Sequence, residues 1–282
     1  MELIHYMIVL STILVTSTAA PIWEDEDLEN DGEFGEYFEG DMLLTKSQQE
    51  AIYEASDRNG LRDVAKRWPN RTVVYYIEED DFDEEHVQMI EEALADIANN
   101  SCLSFRRRDN EEEHAVYIQG DKSGCYSNVG FSIPNDEGMV RQVLNLAKGC
   151  FKHGTIVHEM LHTLGFYHMQ STYDRDDFVT IVWKNIKPGH EHNFAKYNND
   201  TVTDYGVPYD YESVMHYPEK AFSVNGNQTI VPTKENVTIG QRNGLSESDI
   251  LKLNKMYCAE NDDKEIILID NNNDDKVSVI DK

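Results

Sequence analysis

Residues 158–168 read HEMLHTLGFYH, and the rest of the chain can be interpreted outward from this stretch. On a helix, His158 and His162 are one turn apart and share a face, so their imidazoles can converge on one metal ion. Glu159 lies beside them but is not placed to be a third ligand. It can instead reach a water molecule on the metal, which is the position of a catalytic base.

A third ligand has to come from outside this helix. Gly165 can adopt a positive φ, which ends the helix and turns the chain, and His168 can then return to the same metal. Three imidazoles and one water form an open catalytic zinc site, and we expect one Zn²⁺ per chain. The short pattern alone also occurs on amphipathic helices with surface histidines, but the added glycine and third histidine argue against that interpretation.

A second motif lies downstream, where residues 213–217 read SVMHY. It resembles the Met-turn of metzincin proteases, in which a methionine, here Met215, packs beneath the metal. Ordinary core packing would also explain Met215, and the two interpretations overlap because the proposed role is itself packing.

At this point the chain resembles the astacin family of metalloproteases. The resemblance covers about residues 59–258 and includes these further stretches: Arg67–Asn70 (RWPN), Ser123–Ser127 (SGCYS) and Ile239–Arg242 (IGQR) followed by Leu245-Ser246. It implies an α+β fold, with an N-terminal twisted sheet and two helices, an irregular C-terminal subdomain and an active-site cleft between them. It also implies a zinc endopeptidase that hydrolyses protein or peptide substrates through a zinc-activated water, with Glu159 as the general base. Tyr217 is implied as a fifth ligand that swings away to stabilise the tetrahedral intermediate.

Four cysteines follow the N-terminal region, and residues alone leave three possible pairings. The resemblance implies Cys102 with Cys258 and Cys125 with Cys150.

Residues 38–41 read FEGD and resemble the astacin latency motif. In that motif the aspartate, here Asp41, occupies the water position on the metal in the latent form only. A carboxylate is a reasonable zinc ligand, so this inhibition is chemically sensible. An activating protease would then cut between Arg58 and Asn59.

The chain departs from the family pattern beside the third histidine. The family usually carries Glu at the position of Met169, where it meets the mature N-terminal ammonium, and often Arg at the position of Thr172. Asp174–Asp176 follows the pattern. Methionine cannot receive an ammonium, so the usual docking of the mature N-terminus is in doubt.

The sequence of the N-terminal region predicts that the protein is exported from the cell. Ile8–Val15 is an apolar run too short to span a bilayer, and Ser17 and Ala19 fit a cleavage site after residue 19. We therefore expect a signal peptide over 1–19, a pro-segment over 20–58, the catalytic domain over 59–258 and an acidic, disordered tail over 259–282. The predicted product is a secreted monomer without a membrane anchor. Candidate glycosylation sites lie at Asn70, Asn99, Asn199, Asn227 and Asn236.

The formal net charge is −28. A chain this acidic should repel nucleic acid and anionic lipid, so we do not expect those partners. Much of the acid lies in Glu24–Glu39 and Glu260–Asp281, where the aliphatic periodicity of packed elements is weak. Before about Arg58, no helix or strand signal is strong enough to make the stretch a domain.

Periodicity predicts the elements of the central region. We expect strands at 72–77, 104–107 and 115–119, helices at 84–98, 155–164 and 246–257, irregular structure around 180–183, and either a strand or a helix start at 138–146. The resemblance implies that an extended substrate pairs with an exposed strand near Ala115–Gln119 or Tyr126.

Two alternatives differ in class. An inactive zinc-binding protein that captures peptides would be expected to lack Glu159, which this chain retains. A matrix metalloprotease lacks the tyrosine after the Met-turn and uses a cysteine for latency, whereas no cysteine lies before Cys102.

Overall fold

The computed structural model describes residues 32–53, 67–132, 141–197 and 204–259. Residues 32–53 are called the N-terminal segment below. The predictions for the signal peptide, the Arg58–Asn59 cleavage site, the sequon at Asn199 and residues 260–282 lie outside the described residues.

One mixed sheet forms the first half of the fold. Its strands are β1 (Met42–Leu43), β2 (Thr72–Ile77), β3 (Ser104–Arg107), β4 (Val116–Gln119), β5 (Cys125–Asn128) and β6 (Gln142–Leu146). They lie in the order β1-β5-β6-β4-β2-β3, and β5 is antiparallel to β6 while the other neighbours are parallel. The β-branched and aromatic run in β2 alternates between half-buried and buried positions, as a sheet with one covered face requires.

Within the described ranges, four α-helices accompany the strands: α1 (Lys46–Tyr53), α2 (Glu84–Asn99), α3 (His153–Thr163) and α4 (Glu247–Tyr257). Asp83 caps the start of helix α2, because its side chain accepts a hydrogen bond from the backbone N–H of His86. Helix α3 is buried on all sides, because α2, β5 and β6 pack around it. Among the described residues, none of the helices has the length and apolar character needed to cross a membrane.

The second half is mostly loops and 3₁₀ turns around a separate apolar cluster. Strands β7 (Val179–Ile181) and β8 (Ile230–Pro232) form an antiparallel pair there. The cluster contains Met169, Phe194, Tyr217 and Phe222 among others. The cleft between the sheet and this half holds the N-terminal segment.

The structure confirms the predicted strands at 72–77 and 104–107 and the three predicted helices to within two residues at each end. The ambiguous stretch resolves as strand β6, and the predicted strand at 115–119 begins one residue later. The expected α+β fold is confirmed.

Two predictions were wrong in part, the irregular structure around 180–183 and the strand for substrate pairing. Thr180 and Ile181 are not irregular, because they pair with Val231 and Ile230 across a separation that local sequence cannot reveal. The N-terminal segment, where we saw no signal strong enough for a domain, contains only the two-residue strand β1 and helix α1 among its described residues. Strand β4 lies between β2 and β6, so Ala115–Gln119 offers no free edge for a substrate, and the alternative at Tyr126 of β5 stays a prediction.

Two disulfides are present, Cys102–Cys258 and Cys125–Cys150, with Cα–Cα distances of 5.6 and 5.7 Å. These are the pairs that the resemblance implies. The first joins the end of α4 to the start of β3, and the second joins β5 to the loop before α3.

Candidate metal centre

Helix α3 supplies two of the three histidines, and a turn after it supplies the third. Gly165 has φ 103° and its N–H donates to the carbonyl of His162 at 2.8 Å, which closes the helix end. The chain then returns, and His168 meets the helix. The Nε2 atom of His158 lies 3.2 Å from the Nε2 atoms of both His162 and His168.

The opposite ring nitrogens fix the orientation of these imidazoles. His158 Nδ1 donates to the carbonyl of Val214 and His162 Nδ1 donates to the carbonyl of Phe166, both at 2.8 Å. Because a carbonyl can only accept, Nδ1 carries the hydrogen in both rings and the Nε2 lone pair is left free for a metal.

His168 follows the same pattern with a different partner. Its Nδ1 lies 2.8 Å from Oε2 of Glu39, a residue of the N-terminal segment. Glu39 is completely buried and its other oxygen accepts a hydrogen bond from the hydroxyl of Tyr197 at 2.7 Å.

Asp41 faces all three histidines. Its Oδ2 lies 3.2 Å from Nε2 of His158 and of His168, and its Oδ1 lies 3.5 Å from Nε2 of His162. Burial raises the pKa of Asp41, but the facing histidines outweigh burial and hold that pKa well below its usual range. The carboxylate is therefore ionised in a site that is 1% exposed.

This arrangement passes a direct test for a zinc ion. Three imidazole nitrogens point their lone pairs at one another, and Oδ1 of Asp41 has no hydrogen-bond donor among the described residues. All four ligand atoms lie within 4.8 Å of one another. Imidazole lone pairs and a carboxylate that face one another repel unless a cation lies between them, and imidazole with carboxylate is a donor set that suits zinc.

Glu159 lies next to this cluster and is completely buried. Neither of its carboxylate oxygens has a hydrogen-bond partner among the described residues. Burial, together with the negative charges of Asp41 and Glu33, raises the pKa of Glu159 well above its usual value. An unpartnered buried carboxylate beside a metal site is the expected state of a base whose partner is a water.

Residues 213–217, the stretch that resembles a Met-turn, contact the histidine cluster through the Val214 carbonyl, which accepts from His158. The N–H of Met169 donates to the carbonyl of Met215 at 2.9 Å, which connects the turn to the residue after the third histidine. The turn itself is held by Asp249 of α4, which accepts hydrogen bonds from the Ser213 hydroxyl at 2.6 Å and the Val214 N–H at 2.9 Å.

Tyr217 is completely buried, and its ring centroid lies 4.6 Å from that of His168. Its hydroxyl donates a short hydrogen bond to the main-chain carbonyl of Glu39. The hydroxyl is thus adjacent to the cluster but is held by the N-terminal segment.

A buried ion pair joins the N-terminal segment to the loop before α4. The guanidinium of Arg242 contacts both oxygens of Glu33, and the Thr155 hydroxyl donates to the same carboxylate at 2.9 Å. Another nitrogen of Arg242 donates to the carbonyls of Val214 and His216. Arg242 therefore supports the Met-turn while it neutralises Glu33.

The N-terminal segment also pairs with the sheet. Strand β1 lies parallel to β5, with Met42 opposite Ser127. The Ser127 N–H donates to the carbonyl of Asp41 at 2.9 Å, and the Cys125 N–H donates to that of Gly32 at 2.8 Å. The outer edge of β5, which carries Tyr126, is therefore covered.

Met169, which stands where the family usually carries Glu, packs against a lysine of α4. Met169 is 4% exposed, and the ammonium of Lys252 lies 3.2 Å from its sulfur. The position beside the third histidine thus faces a cation supplied by α4. The Thr172 hydroxyl donates a hydrogen bond to the nearby carbonyl of Met169.

Among the residues that the structure describes, the remaining histidines do not join the cluster. His216 bonds to the Tyr209 hydroxyl and the Tyr217 carbonyl, which agrees with a structural role in the Met-turn. His190 and His192 stack loosely near the surface. The described sequons, Asn70, Asn99, Asn227 and Asn236, are all exposed.

Sequence reasoning missed Glu33, Glu39 and Tyr197 and gave no role to Arg242. The two glutamates stand in an acidic run, where neither differs visibly from its neighbours. A signal existed only for Arg242, which belongs to a stretch that resembles the family.

Comparisons with known proteins agree with this geometry. Residues 60–258 match the family model described as Astacin, which represents a family of peptidases. The chain is 42% identical over 230 residues to Seminal metalloprotease 1 of Drosophila melanogaster, covering 79% of this chain and 91% of that protein. It is 36% identical over 234 residues to the zinc metalloproteinase nas-4 of Caenorhabditis elegans, covering 82% and 71%.

A solved structure is also similar. High choriolytic enzyme 1, a hatching enzyme zinc-protease from the medaka Oryzias latipes, superposes with a TM-score of 0.59 at 37% identity. The match covers 68% of this chain and 92% of that one.

Proposed function

The chain belongs to the astacin family of zinc metalloendopeptidases, and from this premise we propose that it is a secreted endopeptidase made as a latent precursor. Its cofactor is one zinc ion, and its substrates are proteins or peptides. The residue roles, the latency and the export that follow are our proposals. They are supported above all by Asp41, whose carboxylate faces the three histidines at 3.2 to 3.5 Å.

His158, His162 and His168 would hold the zinc through Nε2. When bound, zinc supplies Lewis-acid chemistry, which lowers the pKa of a water and polarises the scissile carbonyl. The Nδ1 contacts with Val214 and Phe166 keep two of the rings in the tautomer that this role requires.

Glu159 is the proposed general base. It would take a proton from the attacking water and pass it to the leaving amine. Two of the charges that raise its pKa, those of Asp41 and Glu33, belong to the N-terminal segment. Their departure would bring the pKa of Glu159 down toward the range in which it is ionised and can accept that proton.

Tyr217 is the proposed donor to the oxyanion. Its hydroxyl is engaged by the Glu39 carbonyl while the N-terminal segment is in the cleft. Removal of the segment would free this O–H, which could then donate to the negative charge that develops on the carbonyl oxygen.

We assign residues 20–58 as a pro-segment that blocks the cleft until an activating protease cuts between Arg58 and Asn59. Three contacts of the described part support this: Asp41 on the histidines, β1 on β5, and Glu33 on Arg242. The signal peptide over 1–19 and the tail over 259–282 remain proposals from sequence.

The same geometry suggests a substrate preference. When Glu33 leaves, Arg242 would present a buried guanidinium beside Thr155 of α3, without its carboxylate. An acidic substrate side chain would restore the ion pair. We therefore propose that the enzyme favours an acidic substrate side chain at this position in the cleft, with Arg242 as the residue that recognises it.

The experiment for the proposed function uses Glu159→Gln in the activated enzyme. We expect zinc content to stay at one per chain, while cleavage of a peptide library falls to the background seen with a chelator. Wild-type turnover in this variant would remove Glu159 from the mechanism. If the unmutated, zinc-loaded enzyme cleaved nothing after activation, the peptide-capture alternative would be favoured.

A further inference from the structure

Glu39 has an unusual backbone conformation for its residue type. Its φ is 46°, in the left-handed region that side chains other than glycine rarely adopt, and the next residue, Gly40, has φ 89°. Such a conformation persists only where the surrounding contacts hold it, and it clusters at functional sites. Two successive left-handed residues bend the chain so that Glu39 and Asp41 both reach the histidine cluster.

Both carboxylate oxygens and the main-chain carbonyl of Glu39 make polar contacts with residues in or beside the histidine cluster. One carboxylate oxygen lies 2.8 Å from His168 Nδ1 and the other accepts from the Tyr197 hydroxyl. The carbonyl accepts from Tyr217. The side chain is completely buried, so no contact with water replaces these partners.

The three proposed zinc ligands differ in which part of the chain supplies the hydrogen-bond partner of Nδ1. For His158 and His162 the partner is a carbonyl of the catalytic domain, which remains after activation. For His168 the partner is the carboxylate of Glu39, which belongs to the segment that activation removes. A carboxylate on Nδ1 fixes the tautomer and makes the imidazole a stronger ligand.

We propose that Glu39 is a positioning residue for His168, so that the precursor holds zinc more tightly than the activated enzyme partly because Glu39 supports one ligand. This inference rests on the proposed zinc site and pro-segment. It assigns to Glu39 a role separate from that of Asp41, which faces the metal position directly. The latent form is then the form in which zinc is loaded and retained.

The test measures zinc release rather than peptide cleavage. Zinc-loaded full-length precursor is mixed with a chromogenic chelator, and the release rate is compared among the wild type, Glu39→Gln and Glu36→Gln. Glutamine keeps the size of Glu39 but loses its charge. Glu36 makes a matched control, because it undergoes the same change three residues earlier on an exposed side chain.

We expect Glu39→Gln to release zinc about 10- to 100-fold faster than the wild type, the usual effect of losing such a partner, and Glu36→Gln to match the wild type. After the pro-segment is removed, all three samples consist of the same mature chain and should release zinc at one rate. An unchanged release rate in the Glu39→Gln precursor would overturn the proposal.

A second measurement distinguishes an effect of Glu39 on His168 from an effect on how firmly the N-terminal segment is held in the cleft. Hydrogen exchange over residues 32–53 reports how firmly the segment is held in each precursor. If Glu39→Gln releases zinc faster while exchange stays at the wild-type rate, Glu39 acts on the ligand. If zinc release rises only in proportion to exchange, Glu39 merely holds the segment and the proposal is wrong. Neither outcome depends on whether Asp41 enforces latency. Activity assays of the precursor test the latency separately.

Discussion

Glu33 and Arg242 form a buried ion pair in which carboxylate Oε2 lies 2.5 Å from guanidinium Nη2. Burial raises the pKa of Glu33, but the charge of Arg242 outweighs it, and the pKa falls from 4.5 to about 2. The docked carboxylate thus binds a proton more weakly than an undocked one. Its contribution to docking is present above pH 4.5 and is lost as the pH falls toward 2.

Acid should therefore loosen the N-terminal segment. We expect the docking constant to fall by up to about tenfold per pH unit for each such carboxylate in this window. Hydrogen exchange over residues 32–53, corrected for the intrinsic rate at each pH, measures it. Glu33→Gln should reduce the slope by one proton and Glu36→Gln should not. Equal slopes in all three precursors would contradict this prediction.

Replacing Asp41 by Ala should abolish most of the latency. The variant loses a charged contact to the metal position, and such contacts are worth about 1.5–3 kcal/mol, or about 10- to 100-fold in the docking equilibrium. The zinc-loaded precursor should then cleave peptides before any cut at Arg58. Asp80→Ala, at an exposed aspartate outside the cleft, is the control. A variant as latent as the wild type would show that Asp41 is not the latch.

Replacing Tyr217 by Phe should slow turnover without weakening substrate binding. The hydroxyl is proposed to act only on the developing oxyanion, and loss of one such donor costs about 10²- to 10³-fold in kcat. Steady-state kinetics of the activated enzyme should show that fall with little change in KM. Tyr173→Phe, on a half-exposed tyrosine away from the cluster, should leave both values unchanged. A rise in KM alone would assign Tyr217 to binding.

Replacing Gly165 by Ala should reduce zinc affinity as well as stability. Its φ of 103° is unfavourable for alanine, so we expect a loss of about 1–2 kcal/mol in the free energy of unfolding and a displaced His168. Gly149→Ala is a close control, because Gly149 has φ 102° and open space around it. Both variants should lose similar stability in denaturant titrations. If both retained wild-type zinc affinity, Gly165 would matter only for folding.

The convergence of the three histidines was predictable because the information is local. A helix places His158 and His162 on one face, and a glycine at the right distance lets the chain return with His168. Strand β2 was predictable for the same reason, since its β-branched and aromatic residues favour a half-buried strand wherever they occur.

The contacts between the N-terminal segment and the cleft were not predictable from local sequence. Glu33 and Arg242 are 209 residues apart, and Glu39 and Tyr197 are 158 apart. Glu33 and Glu39 sit in an acidic run, so composition alone assigns them to the surface. Strand β1 is two residues long and exists because β5 offers an unpaired edge. Only the folded arrangement distinguishes these residues from their neighbours.

The pairing of β1 with β5 has a consequence for the concentration dependence of activity. Before cleavage the segment competes for the edge of β5 as part of the same molecule, at an effective concentration in the millimolar range. A cut at the proposed Arg58–Asn59 site would leave the contacts of residues 32–53 in the cleft intact, and its first effect would be to turn an intramolecular ligand into a separate peptide. Activity should then appear as that peptide dilutes away. A concentrated sample of the cut enzyme would remain self-inhibited, while the same sample after dilution would be active.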